Sequence, residues 1–138
     1  MKVPRFGKPG QMADLSIADY LIDWDRKVSG PQMKVKRFLH PYWKTHVVTE
    51  EARIPGSLLR VDLINWTRRI AVEVSPTASH SFNRFFHKHR IGFSAAVGRD
   101  LGKAEWLEAT KLKLVEVFDA DLDTLSPAWF LTNYGITL

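Results

Sequence analysis

The 138-residue sequence contains no cysteine. That excludes disulfide staples and cysteine-based zinc sites, and it fits a reducing compartment. No apolar run approaches the ~18 residues that a membrane span requires. The basic stretch from Met1 to Gly10 lacks the apolar core of a secretory signal, so a cytoplasmic location is expected. Internal repeats and low-complexity tracts are missing. Acidic residues are the minority, 15 against 20 Lys and Arg, for a formal charge of +5. A basic surface lowers the cost of approaching polyphosphate, which favours nucleic acid as a partner. Hydrophobic residues at 45% and charged residues at 25% rule out a disordered chain. Such a chain suits one domain that buries roughly two-thirds of its unfolded surface.

Met1 to Met12 sets Lys2, Arg5 and Lys8 among proline and glycine with no periodicity. The pattern predicts a flexible basic arm over 1–12, followed by a single domain over 13–138. Leu15, Ile17, Ala18, Leu21, Ile22 and Trp24 lie close to helical spacing, and either Asp14 or Ser16 could cap that helix. A second helix is expected from Gln32 to about Leu39, with Ser29 as its cap and Pro41 as its stop.

From Thr45 the periodicity changes. Strands are expected over Thr45–Arg53, Leu58–Ile64 and Arg69–Ser75, the last two joined as a hairpin. In the third of these, Ile70, Val72 and Val74 share one face, and Ala71, Glu73 and Ser75 share the other. Ile91–Thr110 reads as a helix, Leu112–Phe118 as a fourth strand reached by a crossover, and Pro127–Thr132 as a short closing helix. The fold class is therefore α/β, a mixed central sheet of about four strands flanked by helices.

Two carboxylates stand out. Asp62 lies between Val61 and Leu63, and Glu73 between Val72 and Val74, each inside an apolar strand. A carboxylate in such a setting is costly if buried unpaired. Two of them on adjacent strands suit a hard-oxygen cation such as Mg²⁺. That ion can polarise a phosphate and help generate hydroxide for in-line attack on a phosphodiester.

Arg60-Val61-Asp62-Leu63-Ile64, a short turn, then Ile70-Ala71-Val72-Glu73-Val74-Ser75 resembles the catalytic hairpin of PD-(D/E)XK nucleases. Arg99 to Leu107 followed by Lys113 to Phe118 is similar to the helix–strand tail of very-short-patch-repair-like endonucleases. Ser29 to Leu39 resembles the leading helix of phage junction-resolving endonucleases. The resemblance spans roughly 29–122 and implies a restriction-endonuclease-like sheet and an Mg²⁺- or Mn²⁺-dependent DNA endonuclease. It further implies action at branched or distorted DNA, and a phage or mobile-element origin. Homodimerisation, or a partner protein directing the cut, is a further expectation.

Under this resemblance Asp62 and Glu73 are metal ligands, with the Val74 carbonyl as a third. Gln32 takes the place where the leading helix often brings another acid, and Glu50 and Glu51 are alternatives to it. The sequence departs from the pattern at Ser75, where the family carries lysine. The missing cation could come from Lys88, Arg99 or Lys103, the metal could suffice, or the domain could have kept DNA binding and lost catalysis.

After the glutamate strand comes a basic aromatic segment with His80, Arg84, Lys88 and Arg90. Its cations, together with Lys36, Arg37, Arg99 and Lys103, are candidate phosphate contacts. Phe82, Phe85 and Phe86 are expected in the core. His80 could act as a general base or orient a phosphate. A rival reading is a protein-interaction domain whose carboxylates only pair with Arg60, Arg68 or Arg69, and the two carboxylates lying on opposite faces of the sheet would favour it.

Overall fold

The structure is a computed structural model that describes residues 1–75 and 99–138. Its centre is a four-stranded sheet in the order β3-β4-β5-β6, formed by Val48–Arg53, Arg60–Asn65, Ile70–Val74 and Lys113–Val117. β3, β4 and β5 run antiparallel, and β6 joins β5 in parallel through a crossover that contains helix α3, Arg99–Ala109. The expected mixed sheet with flanking helices is what forms.

The alternation in β5 divides the core in two. Ile70 and Val72 join Leu63, Val115 and Val117 beneath helix α2, Gly30–Trp43, whose Val35, Leu39 and Trp43 are buried against them. Ala71 joins Ile64 on the other face beneath Trp106 and Leu107 of α3. The sheet is thus a partition with one helix layer on each side. A 3-10 helix, Asp119–Thr124, and helix α4, Pro127–Tyr134, close the α2 side with Phe130 and Tyr134.

Ser29 caps α2 through Gln32 N–H, as expected, but the helix continues past Pro41 to Trp43. Pro41 is exposed in the last turn, and the fully buried Trp43 anchors that turn despite the hydrogen bond the proline cannot make. The helix expected over 14–25 is much shorter. Only α1, Ile17–Tyr20, forms behind its Ser16 cap. Leu21 instead bridges Thr49, and Ile22 N–H donates to Val48 O, so sheet pairing takes the chain that periodicity assigned to a helix.

The expected flexible arm is also corrected. Lys2–Arg5 and Lys8–Asp14 pair as an antiparallel hairpin, β1 and β2, turning at Gly7 with φ of 70°. Val3 and Leu15 are buried in the α3-side core. Trp106 Nε1 donates to Pro4 O at 2.7 Å. Among the described residues no helix is long and apolar enough to cross a membrane.

Candidate active site

Asp62 and Glu73 lie on the same face of the sheet, the one that α3 covers. The β4–β5 pairing ends at Leu63↔Val72, and beyond that pair each carboxylate takes a backbone N–H of the other strand. Asp62 N–H donates to Glu73 Oε2 at 2.8 Å, and Val74 N–H donates to Asp62 Oδ2 at 2.8 Å. This reciprocal lock fixes both side chains where the ladder opens. The opposite-face arrangement that would have favoured a protein-interaction domain is not the one that forms. The arginines of that rival reading are engaged elsewhere: Arg60 donates to Glu51 O, Arg68 to Thr137 O, and Arg69 lies over the Trp66 ring.

Among the described residues one cation reaches the pair. Lys103, in the second turn of α3, donates its Nζ proton to Glu73 Oε1. Helix placement makes this possible. Gly102 faces Phe6 of the N-terminal hairpin so closely that a Cβ there would lie 2.6 Å from the ring. With Trp106 bonded to Pro4 O one turn on, α3 is seated at two points either side of Lys103.

Among the described residues the positive charge supplied is less than the negative charge present. Burial, and then the neighbouring Glu73 charge, push the Asp62 carboxyl up to about 7, against the opposing pull of Val74 N–H and Lys103. Among the described residues the site therefore holds two oxygen-donor side chains, whose repulsion the Lys103 ammonium only partly offsets. That donor set fits a hard divalent cation. Among the described residues no group of three or more His, Asp or Glu could hold a metal ion, so such a cation would keep much of its water, as Mg²⁺ does.

Ser75 ends this strand half-buried, its N–H held by Val117 O at 2.9 Å. It adds no charge; Lys103 does. Glu116, absent from the candidates drawn from the sequence, is buried and sits in register beside Glu73 on β6. The alternation of β6 places it on the same face. The parallel register was the missing information, because sequence alone cannot align strands joined by a crossover.

Several other expectations fail or fall elsewhere. Lys36 is no phosphate contact: it is fully buried and donates to Asp23 O, Arg26 O and Glu50 Oε1. Gln32 belongs to the buried stripe of α2, which packs on the opposite face of the sheet, and its Nε2 has no hydrogen-bond partner among the described residues. Glu50 and Glu51 are not spare acids for the site, since Lys36 and Arg26 engage Glu50 and Arg26 engages Glu51. Arg37 is exposed on α2 and lines a cavity of about 300 Å³ with Trp24, Lys27 and His40, again on the α2 side. Arg99 begins α3. His80, Arg84, Lys88 and Arg90, with the three expected core phenylalanines, lie outside the described residues.

Comparison with protein-family models, with curated proteins and with solved structures returns no match for this chain.

Proposed function

We propose that the chain is a metal-dependent endodeoxyribonuclease with a restriction-endonuclease-like sheet of the PD-(D/E)XK type, cutting phosphodiesters at branched or distorted DNA. The observation that carries this reading is the reciprocal lock of Asp62 and Glu73 at the point where β4 and β5 part, with the Lys103 ammonium against it. Structural ion pairs are ordinarily arranged to cancel charge. Here two acids are held together, one with its carboxyl pushed up to about 7, which marks a site built for something other than stability.

Asp62 and Glu73 are the residues that would hold Mg²⁺ or Mn²⁺, with the Val74 carbonyl as a further ligand. The ion supplies Lewis acidity toward the phosphate and lowers the pKa of water. Asp62 is tethered by Val74 N–H through one of its oxygens. Lys103 carries the charge that Ser75 cannot, opposing the negative charge that grows on the attacked phosphate. Ser75 contributes at most a hydrogen bond. The excess of basic residues attracts the DNA backbone, so binding weakens as salt rises.

The test is incubation with nicked, branched and linear duplexes in Mg²⁺ or Mn²⁺. Asp62→Asn and Glu73→Gln are each expected to lower cleavage by about 10²-fold or more. Cleavage at wild-type rate in either variant would remove the pair from the reaction. Ser75 at the lysine position favours a second reading, a DNA-binding or assembly module without catalysis. That reading expects salt-sensitive DNA binding and intact DNA with every metal tried.

A further inference from the structure

Lysines from the two helix layers meet strand glutamates in opposite ways. Lys36 has three acceptors and no exposure, so its ammonium is saturated and fixed. Lys103 has one acceptor among the described residues, Glu73 Oε1, and both partners keep 17% of their side-chain surface open. Glu73 Oε1 is also the oxygen that the Asp62 N–H leaves free, since that N–H takes Oε2. Among the described residues Lys103 thus holds the oxygen of Glu73 that the backbone lock leaves open.

The anchoring of α3 bears on what can move. Phe6 against Gly102 and Pro4 O on Trp106 hold the helix itself. The lysine stem has four methylenes and swings without any backbone change. A divalent ion between two carboxylates gains more Coulomb energy than one ammonium on one of them.

We propose that Lys103 is a displaceable internal counter-ion. It occupies the cation position at Glu73 until a divalent metal takes that oxygen, and it is then released into the mouth of the site, within reach of a bound phosphate. This rests on the metal-site reading above and adds to it an order of events, in which metal loading frees the lysine. Metal binding and the cationic group are thereby coupled: the site without metal has its lysine withdrawn, and the site with metal has it available.

The decisive experiment is amine labelling of the wild-type protein read by mass spectrometry, titrated with Mn²⁺ beside calorimetry of the same samples. Labelling of Lys103 is expected to rise several-fold in step with Mn²⁺ occupancy, while Lys111, exposed at the end of α3, keeps a constant rate. Lys103→Met is expected to bind Mn²⁺ about ten-fold more tightly, because the competitor is gone, and Lys111→Met to leave affinity within about two-fold. Bound Mn²⁺ with Lys103 labelling unchanged would overturn the proposal and leave the metal site standing. Failure of both wild type and Lys103→Met to bind Mn²⁺ would remove the metal site and the proposal together. Mn²⁺ binding with rising labelling but uncut DNA would support the displacement and sink the hydrolytic reading alone.

Discussion

The two faces of the central sheet carry the same pair of residue types and treat them differently. On the α2 side, Lys36 and Glu50 form a closed cluster: Glu50 accepts from Lys36, Arg26 and Asp23 N–H. Burial alone would raise the Glu50 carboxyl, yet those three donors hold it below its ordinary value. On the α3 side, Lys103 and Glu73 form an open pair beside a second acid that is pushed the other way. A saturated ion pair ties elements together, here the segment around Asp23 and Arg26 to α2 and β3. An unsaturated one keeps charge available. The difference separates architecture from chemistry more clearly than the identity of the residues does.

The largest expected effect lies on the closed side. Glu50→Ala strands the buried Lys36 ammonium and should cost about 3–5 kcal/mol, read as a lowered urea midpoint. The double variant Lys36→Met, Glu50→Leu should recover much of that loss, because it removes both charges at once. If the single and double variants were equally unstable, the cluster would be serving packing and not charge balance.

On the open side the sign reverses. Asp62→Asn keeps an oxygen for Val74 N–H and removes the repulsion, so the metal-free protein should gain about 1–2 kcal/mol at pH 8. The pH dependence follows from the same residue. Its folded pKa, about 7, exceeds the ordinary value of 3.8. Between those values the folded state binds the proton and the unfolded state does not. Stability from this group is therefore greatest at low pH, declines as pH rises through that window, and is flat above it. Thermal melts of wild type should show this decline, and melts of Asp62→Asn should show less of it. Glu50 acts oppositely: its stabilisation is present above its ordinary pKa and is lost as acid protonates it.

The seating of α3 gives an effect of similar size. Trp106→Phe removes the bond to Pro4 O from a buried position and should cost about 1–2 kcal/mol; under the proposed nuclease reading it should also weaken cleavage, because Lys103 loses its fixed base. Smallest is Arg26→Gln, whose exposed guanidinium should contribute under about 1 kcal/mol despite touching two glutamates.

The strands and their faces were legible because alternation is local. Ile70-Ala71-Val72-Glu73-Val74 declares which residues point together, and Asp62 with Glu73 could be paired from a short hairpin alone. Ser29 and Ser16 were legible as caps for the same reason. What was not legible depended on distant partners. Lys36 looks like a surface cation until Glu50 and two carbonyls converge on it. Met1–Met12 has the composition of a loose arm, yet Val3 and Leu15 gain burial against Trp106, more than a hundred residues from Val3. Pro41 looks like a stop because its neighbours in sequence say nothing about Trp43 being buried. Lys103 could be offered as one of three replacements for the absent motif lysine, but only the fold sets it against Glu73.

The Pro4–Trp106 bond joins segments 102 residues apart. Closing so long a loop is slow compared with zipping the β3–β4–β5 meander, whose contacts are local. During refolding the acidic hairpin should thus mature early, with β5 an unprotected edge until Lys113–Val117 arrives. The lysine-bearing helix should dock last. Hydrogen exchange pulsed during refolding would show β4 amides protected before those of α3, and the carboxylate pair would gain its lysine only at the final step of the chain's own assembly.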